Sequence, residues 1–118
     1  MKYSHLIRAL LTSIAASVAV AVPAGAAEQN KISTVTAVYP LADGSYYLSL
    51  TDDPGACTSS YTPKRLYVKV GSNSVTLDAA KQMYAALLTA LTTDLLVYVV
   101  YDDTTANCYV NRLQVYKN

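Results

Sequence analysis

Hydrophobic positions recur along this chain at two different periods, and each change of period marks the end of an element. Over residues 76–93, TLDAAKQMYAALLTALTT, the side chains Leu77, Ala80, Met83, Tyr84, Leu87, Leu88 and Leu91 fall on one face at helical spacing. Elsewhere the period is two. In ISTVTAVY, residues 32–39, Val35, Ala37 and Tyr39 share a side, and in SYYLSLT, 45–51, Tyr46, Leu48 and Leu50 alternate with Tyr47, Ser49 and Thr51. LYVKV, 66–70, sets Leu66, Val68 and Val70 against Tyr67 and Lys69. LLVYVVY, 95–101, is apolar almost throughout, as a strand buried on both sides or paired on both edges would be, and CYVNRLQVY, 108–116, closes the series.

The punctuation agrees with these boundaries. Pro40 and Asp43-Gly44 supply turn chemistry between the first two strands, which therefore read as a hairpin. DDPGACTSSYTPK, 52–64, is too long and too rich in Pro, Gly, Ser and Thr for a tight turn. Gly71-Ser72-Asn73-Ser74 stops the third strand, Thr76 suits the helix N-cap, and Asp78 in the first turn complements the helix dipole.

The resulting order, β-β-β-α-β-β, predicts a mainly β (α+β) domain, and specifically a five-stranded OB-like Greek-key barrel with its helix plugging one end. In such a barrel the third and fifth strands run parallel as neighbours. The loops before them then share one end, which places Cys57 and Cys108 within bonding reach.

Composition sharpens this picture at the N-terminus. Lys2 and Arg8 precede an apolar run over 9–22 that is short for a bilayer span, and Ala24-Gly25-Ala26 offers small residues to a signal peptidase. Residues 1–26 are expected to be a signal peptide cleaved after Ala26 or Ala27, leaving one domain over 27–118, with no membrane span after processing. Lys2 and Arg8 leave with it, so nine basic residues become seven against eight acidic, a formal charge of −1. A near-neutral domain lacks the basic footprint of a nucleic-acid binder. The single histidine, His5, leaves as well, and with it the commonest general base and imidazole ligand. Export to the periplasm or beyond favours a Cys57–Cys108 disulfide.

The run Tyr84-Ala85-Ala86-Leu87 leading into Leu95-Leu96-Val97-Tyr98-Val99-Val100-Tyr101, in an exported single-bridge domain, resembles small secreted bacterial OB-fold domains such as the B subunits of subtilase-cytotoxin-type toxins. The resemblance covers about the last third of the chain. It implies pentameric rings that bind sialylated glycans, but no sugar-contacting position of that family aligns with a residue here. This chain has no Phe or Trp, and Asp94 stands where the family tends to place glycine after the helix.

Four groups of residues carry candidate chemistry. Tyr47 and Tyr67 should project from the outer face of strands two and three, the usual ligand face of an OB barrel, where they could stack on a sugar or simply brace the sheet. Ser59, Ser60 and Tyr61 in the adjacent loop add hydroxyls to a glycan or protein site. Asp52, Asp53, Asp102 and Asp103 meet at the disulfide end, and could bind calcium or serve as ordinary turn residues; no cofactor is expected. Gln82, Ala85, Ala86 and Thr89 form a weakly charged helix face suited to a homo-oligomer, or to plain exposure. No nucleophile–base pair or catalytic motif is present, so the expected function is a non-enzymatic binding module for a glycan or protein. The alternative is a periplasmic structural or inhibitor-like protein acting through the Cys57 loop, 56–62, on an envelope partner.

Overall fold

The computed structural model describes residues 27–117, so the expected leader over 1–26 lies outside the described residues. The chain forms β1 (Glu28–Pro40), β2 (Tyr46–Leu50), β3 (Leu66–Val68), α1 (Leu77–Thr93), β4 (Leu96–Asp102) and β5 (Val110–Tyr116). The expected order of elements is therefore observed, mainly β with one helix. The strands make a single antiparallel sheet in the order β3-β2-β1-β4-β5. Among the described residues, no helix is long and apolar enough to cross a membrane.

β1 is the central strand, and it reaches four residues further toward the N-terminus than its apolar pattern predicts. Glu28 pairs with Asp102 and Ile32 with Tyr98, while Val35 to Pro40 pair with β2 on the other edge. The strand thus spends its two ends on different partners, with an irregular register near Val35–Ala37.

No continuous ladder closes the sheet, which has five strands and two outer edges, β3 and β5. β3 and β5, its outer strands, meet in one parallel bridge between Tyr67 and Tyr109, where the Tyr67 N–H donates to the Cys108 carbonyl at 3.2 Å. The Cys57–Cys108 disulfide lies beside this meeting point, with Cα atoms 5.7 Å apart. Both sulfur-bearing residues are fully buried, so the bridge is part of the core.

In β2 and β3 the core is built where the alternation placed it; in β1 only Val35 of the expected side is buried, because the register shifts between Val35 and Ala37 and leaves Ala37 and Tyr39 exposed. Tyr46, Leu48, Leu50, Leu66, Val68, Val97, Val99, Tyr101 and Val110 are all buried. The helix differs in phase. Ala80, Leu87 and Ala90 are its buried residues, with Met83, Tyr84 and Leu91 packed at their flanks, whereas Leu77 and Leu88, expected inside, are 43% and 38% exposed. Small Ala80 and Ala90 let the helix backbone approach the sheet closely, which turns the bulkier Leu88 outward. Thr76 caps the helix by accepting the Ala79 N–H, as its position predicts.

Candidate functional site

Strand pairing brings the tyrosines together. Tyr47 lies directly opposite Tyr67 in the β2–β3 ladder and opposite Tyr39 in the β1–β2 ladder, so three phenols project from one face. Tyr47 and Tyr67 are stacked with ring centroids 4.3 Å apart; Tyr39 and Tyr61 flank Tyr47 at 6.3 and 6.1 Å, and Tyr109 follows Tyr67 at 5.7 Å. Five rings thus form one continuous aromatic surface. Their exposure is uneven: Tyr39 and Tyr61 are 56% and 48% exposed, but Tyr67 is only 9% exposed. The expectation that Tyr67 stands free on the outer face is corrected, because its neighbours and the Lys69 ammonium, 5.7 Å from its ring, cover it.

Arg65 completes the surface. Its guanidinium sits 4.1 Å from the Tyr61 ring centroid, 5.4 Å from Tyr39 and 5.6 Å from Tyr47. Three electron-rich ring faces hold the cation in place. The ion pairs among the described residues are Lys64–Asp53 and Arg112–Glu28, so Arg65 has aromatic neighbours but no carboxylate. Nothing in the strand alternation points to this residue. Its position, two residues after Pro63 and one before β3, has no period to read.

A cavity of about 220 Å³ opens here, lined by Val38, Tyr39, Tyr47, Ser49, Tyr61 and Arg65. On the other side of Tyr61-Thr62-Pro63 lies a second, of about 270 Å³, lined by Thr51, Asp53, Ser60 and Lys64. The ridge contains a cis peptide bond at Thr62–Pro63. Partial burial, then the neighbouring phenols of Tyr67 and Tyr61, raise the Tyr47 pKa above its usual value. Tyr47 is accordingly a neutral hydroxyl at physiological pH, able to donate and to accept.

The loop serines have different roles. Ser59 is 8% exposed, and its hydroxyl accepts the N–H groups of Tyr61 and Arg65, both at 3.3 Å. It shapes the loop that presents those two side chains. Ser60 is exposed and faces the second cavity.

Three of the four aspartates of the disulfide end are engaged by separate partners. Asp53 pairs with Lys64, Asp102 accepts from the N–H and hydroxyl of Thr104, and Asp103 accepts from the Gln29 amide at 3.2 Å. Among the described residues no group of three or more His, Cys, Asp or Glu side chains has metal-binding geometry. Asp102 shows why: its side chain closes its own turn, the ordinary use of Asp in a loop.

On the helix, Gln82, Ala85 and Thr89 are exposed and Ala86 is half-buried. The hydroxyls of Thr89, Thr92 and Thr93 donate back to the carbonyls of Ala85, Leu88 and Thr89. This face therefore presents methyl groups where its composition suggests polarity. Compared with family models, curated proteins and solved structures, the chain matches none.

Proposed function

We propose that the chain is an exported, non-enzymatic binding module of OB-like barrel type, taking a glycan on the face of β2 and β3. The observation that carries this reading is the tyrosine surface around an unpaired Arg65. Sugar rings present apolar C–H faces that lie flat on aromatic rings, and hydroxyls that suit phenols and serines. A guanidinium pre-oriented by three rings and lacking a carboxylate of its own matches a ligand with an anionic group, such as a carboxylated sugar. The cavities on either side of Tyr61 offer room for more than one sugar residue.

The methyl-rich helix face around Ala85 and Thr89 supports the further reading that the module assembles as a homo-oligomer. Repeated copies would multiply a weak sugar contact into useful avidity.

A glycan array probed with the exported protein tests the proposal. Carboxylated glycans should bind, and Tyr61→Ala should weaken binding about tenfold, the scale of one lost stacking contact of about 1.4 kcal/mol. Arg65→Gln should weaken the carboxylated ligands and spare neutral ones. Capture of no glycan, together with co-purification of an envelope protein lost on substitution of Ser60 or Tyr61, would replace this reading with the inhibitor-like one.

A further inference from the structure

The corner where β1 begins and β4 ends has more negative than positive charge. Glu28, Asp102 and Asp103 lie there, with Asp53 on the loop that packs against Tyr101. Both cations in reach are taken: Arg112 pairs with Glu28 and Lys64 with Asp53. Asp103 is left with the neutral Gln29 amide on one carboxylate oxygen, while its other, Oδ1, is buried and accepts no hydrogen bond. A buried carboxylate oxygen without a donor is costly, and the fold should not retain one.

The missing donor can be located by register. Glu28 pairs with Asp102, so Ala27 comes opposite Asp103 one step further along, and the Asp103 N–H donates to the Ala27 carbonyl at 3.3 Å. Directly opposed residues of an antiparallel pair turn their side chains to the same side, so the Ala27 methyl and the Asp103 carboxylate share a face, and the Ala27 nitrogen leaves the ladder at the same end, one bond from the Cα that carries that methyl. Ala27 is also the residue that cleavage after Ala26 would expose.

We propose that processing completes this corner: cleavage after Ala26 turns the Ala27 nitrogen into an ammonium that pairs with Asp103. A leader peptidase adds water across the Ala26–Ala27 peptide bond; the leader departs with the carboxylate and Ala27 keeps the amine, protonated. As an amide in the unprocessed chain, that nitrogen has one N–H and no charge. As an ammonium it has three donors, enough for the strand carbonyl opposite and for Oδ1 of Asp103. The groups around this ion pair are Tyr101, whose hydroxyl is held neutral chiefly by burial, the Gln29 amide, the carboxylates of Asp102 and Asp53, and the Arg112–Glu28 pair, which lines one cavity with Ala27. Arg112 alone opposes the added positive charge, and Glu28 offsets it; the others favour that charge or leave it unaffected.

The exported protein, isolated after expression with its own leader, provides the test. Mass spectrometry should find Ala27 as the first residue. The α-amine, titrated by its rate of carbamoylation with cyanate, should have a pKa above the ordinary value of about 7.7–8.0. Each tenfold gain in its proton affinity should slow carbamoylation at neutral pH about tenfold, because only the unprotonated amine reacts. Asp103→Asn, which keeps the shape and the Gln29 contact, should restore ordinary reactivity. A chain extended by one glycine before Ala27 should melt lower than the processed protein and no higher than its Asp103→Asn variant. A mature chain starting elsewhere, an α-amine equally reactive with and without the Asp103 carboxylate, or an extended chain as stable as the processed one would each overturn the proposal.

Discussion

Tyr46 shows how a single hydroxyl couples the fold to pH. Its ring is 2% exposed, packed edge-on against Tyr84 at 5.1 Å, and its hydroxyl donates to the Ala80 carbonyl at 2.8 Å, tying β2 to the helix. Burial, then the neighbouring Tyr84 phenol, raise its pKa far above the ordinary 10.0, and burial raises that of Tyr101 as well. A raised folded-state pKa means that the fold favours the protonated phenol. The stability it contributes is fully present below the unfolded value of about 10 and is lost as pH climbs beyond it. Urea denaturation between pH ~8 and ~11 should therefore show a steep alkaline decline. Tyr46→Phe should cost about 1 kcal/mol at neutral pH, the worth of the lost hydrogen bond, and the deficit should shrink as pH rises because one titrating group is gone. A deficit that stays constant into the alkaline range would show that Tyr46 does not titrate with unfolding.

At the scale of elements, the helix ends on a conformation its last residue dislikes. Asp94 is the C-cap in the left-handed region, φ 52° and ψ 33°, with its N–H donating to the Ala90 carbonyl. Glycine adopts that region without a Cβ penalty, and a carboxylate sits badly at the negative end of the helix dipole, where the last turn carries no basic residue. Asp94→Gly should stabilise the domain by about 0.5–1 kcal/mol and raise its melting temperature by roughly 2 to 8 °C. Asp94→Ala, which removes the charge and keeps the strain, should gain little; equal gains from the two would assign the effect to charge alone. The signal for this turn was visible in the sequence, since the apolar helical period stops at Leu91 and a strand period begins at Leu95. The order and type of all six elements were legible for the same reason. The N-terminal end of β1 was not, because Glu28, Gln29, Asn30 and Lys31 owe their strand conformation to the backbone of Val99 to Asp102 rather than to any apolar face of their own. In the candidate site, Tyr47 and Tyr67 could be read from alternation, but the covering of Tyr67 and the placing of Arg65 could not. Both depend on where a loop of the chain folds back, and Ser59, buried to hold that loop, gives no period to read.

Across the whole molecule, the contact that decides the architecture lies between β3 and β5, where a five-stranded sheet comes close to meeting itself. A single backbone bridge and a single disulfide join the two edges at the same end. The disulfide spans 51 residues, and closing a loop of that length in the unfolded chain is worth about 4 kcal/mol in the chain-entropy model, a large part of the stability of a small domain. That model makes a uniform prediction, since an effect confined to the unfolded chain lowers protection equally everywhere. The geometry predicts something different. The Tyr67 N–H reaches the Cys108 carbonyl immediately beside the bridge, whereas β1 and β4 are paired along seven residues with no help from it. In the Cys57→Ser/Cys108→Ser double variant, hydrogen exchange at Tyr67 should rise by more than it does at Val97 or Val99. The aromatic surface should loosen with it, since Tyr67 supports Tyr47 on one side and touches Tyr109 on the other. Exchange that increases by the same factor at all three amides would mean that the disulfide acts through the unfolded chain only, and that β3 and β5 stay together without it.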